Sequence, residues 1–164
     1  MPQKDKIRFL DALVLARLRY SLATVWLVTA QRRRLDGFMA RCLRRILHIP
    51  SAYISRISNA SVYLRAGVKP LSEQLLKHQL LFLRKVALSG ADSPVRRDTF
   101  VEGSLNPQIG RRVRKKGRPP QDWTSQLLRV GQERMGSSKF NEFLRDASEG
   151  SNVRWKAEVQ KVLR

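Results

Sequence analysis

Apolar residues recur at three- and four-residue steps in several separate stretches of this chain, which is the helical period. Ile7, Leu10, Val14, Leu18, Leu22, Val25 and Trp26 predict a first helix from about Lys6 to Thr29. A second is predicted from Gln31 to His48, ended by Pro50, with Leu35, Phe38, Met39, Cys42 and Ile46 on one stripe. Asn59 is a good N-cap for a short helix that Gly67 ends. Pro70 opens a longer helix to about Ser89, whose inner face is Leu71, Leu75, Leu76, Gln79, Phe82, Leu83 and Val86. Residues 90–121 carry Pro94, Pro107, Gly110, Gly117, Pro119 and Pro120 and predict an irregular connection. Asp122 caps a helix to about Met135, Ser137 or Ser138 begins a short one through Ala147, and Asn152 caps the last. No stretch alternates as a strand does. The expectation is an all-α fold: a bundle of about four helices over residues 1–90, a basic linker over 91–121 and a helical tail over 122–164.

Composition sharpens this picture. The 164 residues include 33 Lys+Arg against 13 Asp+Glu, a formal net charge of +20. Arg supplies 23 of the cations, and Leu alone supplies 22 residues. A chain of this length can bury roughly 70% of its unfolded surface, so the charge does not force disorder. One cysteine, Cys42, rules out an internal disulfide framework, and two histidines leave little for a metal centre. The longest uncharged apolar stretch, Ser21 to Ala30, is far short of the ~20 residues that span a bilayer. No membrane partner and no secretory signal are expected. An Arg-bearing amphipathic N-terminus suits a mitochondrial presequence, but Asp5 and Asp11 oppose one. The expected location is nuclear or cytoplasmic, with a polyanionic partner.

Two basic clusters carry the functional signal. In the second helix Arg33, Arg34, Arg41, Arg44, Arg45 and His48 are expected opposite the apolar stripe, and Arg32 projects its guanidinium from the same rigid rod. Guanidinium binds phosphate bidentately and is more weakly hydrated than ammonium. The ordinary reading of a charge run is a solvated helix face. Here Asp36 is the only acid between residues 12 and 72, so little self-pairing is available. The second cluster is Arg111, Arg112, Arg114, Lys115, Lys116 and Arg118, six cations in eight residues. It suits an extended phosphate-binding arm that orders on binding. Lys116-Gly117-Arg118-Pro119 also resembles an AT-hook core, and a nuclear-localisation signal fits the run equally well.

The remaining candidates read more plainly. His48 and His78 suit surface or helix-end positions, and Cys42 a small buried hydrophobe. Glu142 and Asp146 suit surface charges paired with Arg145 or Lys139. Trp26, Trp123 and Trp155 suit packing anchors, with base stacking by Trp123 as a second reading. There is no phosphate loop or nucleophile elbow.

The run from Arg33 through Ile49, Arg-Arg-Leu-Asp-Gly-Phe-Met-Ala-Arg-Cys-Leu-Arg-Arg-Ile-Leu-His-Ile, resembles the segment that follows the polymerase domain in LINE-type, non-LTR retrotransposon polyproteins. Tyr20, Ser21 and Trp26 upstream, Ser58-Asn59-Ala60-Ser61-Val62 and Arg65-Ala66-Gly67 downstream, and Gly117-Arg118-Pro119 with Trp123 extend the likeness over residues 7–128. Arg84-Lys85-Val86 departs from the Gly-His-Val of that family. The resemblance implies a helical thumb plus basic connection that grips a template–primer duplex, with a polymerase domain as a partner in trans. It carries neither the polymerase carboxylates nor a Cys/His cluster.

The reading that results is a non-catalytic, cofactor-free nucleic-acid-binding fragment, gripping DNA, RNA or a hybrid duplex by its phosphates without sequence specificity. Two-metal phosphoryl transfer needs carboxylates converging on cations about 4 Å apart, and the scattered acids do not supply them. If about six phosphates are neutralised, log K should fall against log salt with a slope near −5. The rivals are a ribosomal or organellar RNA-binding structural protein, a module docking an acidic protein groove, and a functionless retroelement relic.

Overall fold

A computed structural model describes residues 1–108 and 122–162. The fold is all-α, with no strand among the described residues beyond a single bridge between Phe100 and Pro107. The basic cluster from Arg111 to Arg118 lies outside them, so Arg111, Arg112, Arg114, Lys115, Lys116 and Arg118 have no structural description. The contacts divide the chain into two compact units, Met1–Leu76 and Lys77–Arg164. The boundary falls within a helix rather than at the expected positions near 90 and 121.

In the first unit, α1 (Gln3–Leu10) leads into a π-helical stretch (Asp11–Leu15) and then α2 (Ala16–Ser21). This assembly stops eight residues before the expected Thr29, and Leu22 to Val28 are not helical. Arg19 pairs with Asp11 at 2.7 Å and donates to Gln74 at 2.6 Å. Next come α3 (Thr29–Ile46), α4 (Ala52–Ser55), α5 (Asn59–Ala66) and the start of α6 (Leu71–Ala87). The hydroxyl of Ser58, not the expected Asn59, caps α5 by accepting from the Ser61 N–H at 3.1 Å. Gly67 ends α5 at φ +66°, the left-handed conformation that glycine adopts without strain. The core joins Leu15, Met39, Ala40, Leu43, Val62, Tyr63 and Leu71, with Ile7, Leu10, Leu18, Leu35, Phe38 and Leu47 packed partly buried against it.

The stripe that α3 buries differs from the expected one. Met39, Ala40, Leu43 and Arg44 are buried, while Leu35, Phe38, Cys42 and Ile46 are half-buried. The stripe is rotated by one residue, about 100°.

The second unit holds the rest of α6, then α7 (Pro94–Thr99), α8 (Trp123–Met135), α9 (Ser137–Arg145) and α10 (Glu149–Val162). The short α7, with Pro94 in its first turn, interrupts the connection expected to be irregular, and Phe100 after it is buried. Asp122 caps α8 as expected, accepting from the Ser125 N–H at 2.9 Å. The segment after Asp122 packs within this unit. Trp123 lies against Phe82 with ring centroids 6.0 Å apart, and Trp155 lies against Phe140 and Phe143 at 5.7 and 5.5 Å. Trp123 is therefore a core anchor, and the base-stacking reading does not hold for it. Lys139 pairs with Glu158 at 3.0 Å, and Asp146 pairs with Arg154 at 3.9 Å rather than with Arg145 or Lys139.

Arg84 is the polar centre of this unit. It is 5% exposed and donates to the carbonyls of Phe143 (2.9 Å) and Asp146 (2.8 Å), to Asn152 Oδ1 (3.1 Å) and to Ser151 Oγ (3.3 Å). One side chain thus ties α6 to the end of α9 and the first turns of α10. Burial pulls its pKa below the ordinary guanidinium value, and the Asp146 carboxylate acts against that.

Gly131 permits the closest approach between α8 and α9. A β-carbon there would run into the ring of Phe140, which is fully buried. Gly131→Ala is expected to destabilise the protein by about 1–3 kcal/mol, as overpacking does, despite alanine's better helix propensity. Thermal melting followed by circular dichroism checks this, with Gly37→Ala, where a β-carbon meets nothing, as the control.

Candidate nucleic-acid interface

Helix α3 separates its six candidate arginines into three kinds. Arg33, Arg34, Arg41 and Arg45 are exposed. At 100° per residue they fall within an arc of about 120°. None of their side chains has a hydrogen bond or an ion pair among the described residues. Arg32 is half-buried, with its guanidinium 4.1 Å from the Trp26 ring centroid and its Nε donating to the Leu27 carbonyl at 2.9 Å. It braces the N-terminal turn, and Gln31 Oε1 supports the same turn by accepting from the Val28 N–H at 3.0 Å.

Arg44 is the correction. Expected among the outward cations, it is 5% exposed. It donates to the carbonyls of Pro50 (3.2 Å) and Ile57 (2.5 Å), to Ser55 Oγ (3.2 Å) and to Asn59 Oδ1 (3.2 Å). The rotated stripe brings it inward, where its forked donors meet acceptors of a loop that no neighbouring element satisfies. His48 is exposed just past the helix end, at φ +55°.

Asp36 decides the electrostatics of the exposed face. Its Oδ1 accepts from the Ser72 N–H at 2.8 Å and its Oδ2 from the Ser72 hydroxyl at 2.7 Å. The one acid between residues 12 and 72 therefore caps the first turn of α6. Its backbone carbonyl accepts from the Tyr63 hydroxyl at 2.6 Å. Burial, then the Asp36 carboxylate, holds the Tyr63 pKa far above the ordinary phenol value, so the hydroxyl keeps its proton and donates. Both carboxylate oxygens of Asp36 are thus taken by Ser72, and none of the four arginines is paired with it.

Among the described residues, no group of three or more His, Cys, Asp or Glu could hold a metal ion, and no helix is long and apolar enough to cross a membrane. Cys42 is a half-buried free thiol. Sequence reasoning missed the capping role of Asp36 and the inward turn of Arg44. No local signal marks the second, because the acceptors that hold Arg44 lie up to fifteen residues away. No protein-family model, curated protein or solved structure matches this chain.

The partition predicts opposite consequences for adjacent arginines. Arg44→Gln is expected to cost about 1–3 kcal/mol, because loop carbonyls lose their donors in a buried place. Arg45→Gln should fall within about 0.5 kcal/mol of the wild type. Urea unfolding of the two variants checks this, and equal losses would contradict the assignment.

Proposed function

We propose that this chain is a non-catalytic nucleic-acid-binding fragment that grips phosphate backbones with the exposed face of α3. The observation that carries the reading is the set of four outward guanidiniums, Arg33, Arg34, Arg41 and Arg45, whose nearest acid is engaged elsewhere by Ser72. An unopposed cationic face on a rigid helix displaces condensed counterions when it meets a phosphate backbone, and that release drives binding.

A grip without sequence preference is supported by what α3 lacks. Reading adenine edges takes an Asn or Gln side chain, whereas arginine reads guanine. Gln31 is the helix's only amide, and its oxygen is turned back onto Val28 N–H. The non-catalytic reading is supported by the other engagements of the acids: Asp11 with Arg19, Asp146 with Ser148 N–H, and Glu158 with Lys139 and Lys161. The resemblance of residues 7–128 to the post-polymerase region of LINE-type elements agrees with a thumb-like grip. By that likeness a polymerase domain in trans is a proposed partner, and the basic run Arg111–Arg118 a second phosphate contact.

The test is a salt titration of duplex binding by fluorescence anisotropy. Four phosphates neutralised by this face contribute about −3.6 to the slope of log K against log salt. The variant with Gln at positions 33, 34, 41 and 45 should lose about that much of the wild-type slope. A wild-type slope shallower than about −2, or a slope unchanged in the variant, overturns the proposal.

A further inference from the structure

Directly after α3 the chain displays two large apolar side chains to solvent. Tyr53 is 81% exposed and Ile54 is 72% exposed, both on the four-residue α4. Singly exposed apolar residues are common. An adjacent pair, held out by a buried clamp, is a different situation. The Arg44 guanidinium holds the segment on both sides of the pair, through Pro50 and Ser55 before and after it and through Ile57 and Asn59 beyond. Ser55 Oγ also donates to the Ser51 carbonyl at 3.0 Å, closing the turn. Behind the ring, the Arg56 guanidinium sits 5.6 Å from the Tyr53 centroid. The backbone that carries the ring is thus held before any partner arrives, with most of the ring's surface open.

We propose that Tyr53 is a stacking platform for an unpaired nucleobase of a strand that this chain binds. The proposal rests on the phosphate-gripping reading above and adds a ligand class to it, a single strand or a junction with an unpaired base. A nucleic acid is favoured by charge complementarity. From Gly37 to Ser72 the chain carries no acid, and Arg41, Arg45, Arg56 and Arg65 are exposed there. A partner for this region is polyanionic, and the flat apolar group a polyanionic strand can offer to an aromatic ring is a base. A base inside a duplex is already stacked on its neighbours, so only an unpaired one offers its face. A backbone held in place beforehand loses little conformational freedom on binding.

The experiment uses the full chain and three fluorescein-labelled probes of equal length: an oligothymidylate, its abasic counterpart with the same phosphates, and a blunt duplex. Tyr53→Ala is expected to weaken oligothymidylate binding by roughly 5- to 100-fold, the range of one base stacked on one aromatic ring. It should leave the abasic strand, the duplex and the salt slope unchanged. Tyr53→Phe should restore binding. Wild-type protein that binds the normal and abasic strands equally overturns the proposal, as does a Tyr53→Ala variant that loses all three probes alike. If the stacking signature is missing while the four-arginine variant still loses its slope, the inference fails and the phosphate reading stands. If neither substitution matters, both fail.

Discussion

The carboxylate of Asp36 is the interaction on which the rest of this structure depends. On α3 it could have formed helical pairs with Arg32 or Arg33, four and three residues before it, each worth about 0.3–0.5 kcal/mol at a surface. Instead it caps the first turn of α6 through Ser72, an arrangement typically worth about 1 kcal/mol. The same residue receives the Tyr63 hydroxyl on its backbone carbonyl. One position therefore fastens α3 to α5 and to the start of α6. The carboxylate stays charged, but its oxygens are engaged by Ser72 rather than by an arginine of the exposed face. Stability of the first unit and availability of its arginines come from one choice of partner.

Arginine serves two opposite purposes in this chain, and geometry separates them. Arg44 and Arg84 are each buried and each donate to four acceptors that belong to loop or helix-end backbone and short polar side chains. A planar fork with five N–H groups can satisfy such a set, whereas an ammonium with three donors cannot. The hydrogen bonds of both clamps go to neutral acceptors, and at Arg84 the Asp146 carboxylate adds charge attraction. The side chains of Arg33, Arg34, Arg41 and Arg45 are the reverse, with no acceptor among the described residues. A count of cations treats both kinds alike, which is why a net charge of +20 overstates the number free to meet phosphate.

Much of the helical architecture was legible. The period of the apolar residues, Gly67 as a terminator and Asp122 as a cap are local signals, and the structure carries each of them. The end of the first helix was not legible, because Leu22, Val25 and Trp26 continue the period while the chain leaves the helix at Ser21. The rotation of α3 was not legible for a different reason. The large residues Leu35, Phe38, Cys42 and Ile46 define one apolar stripe, and Met39, Ala40, Leu43 and Leu47 define another beside it. Both have helical spacing, so the period identifies the helix and leaves open which stripe faces inward. Four of the six candidate arginines on α3 are outward in the structure. Arg44 is inward because of Pro50, Ser55, Ile57 and Asn59, partners up to fifteen residues away that no local pattern reveals.

The choice between those two stripes also sets the cationic face, and magnitudes indicate what makes it. Burying the stripe of larger side chains would remove at least as much apolar surface from water, so the hydrophobic effect does not favour the observed rotation. The polar contacts do. The observed rotation completes four hydrogen bonds from Arg44 and three at Asp36, each worth roughly 1 kcal/mol net, or somewhat more where a charge takes part. Turning α3 by one residue would break them together and leave loop carbonyls without donors. Burying the Arg44 guanidinium is costly in itself, and its four acceptors offset that cost only while the loop from Pro50 to Asn59 keeps its shape. The helix is rigid, so fixing Arg44 inward fixes Arg41 and Arg45 outward, and holding the loop fixes the backbone that carries Tyr53. The buried arginine thereby sets the direction of the groups on either side of it, and the surface presented to a strand follows from hydrogen bonds made inside the protein.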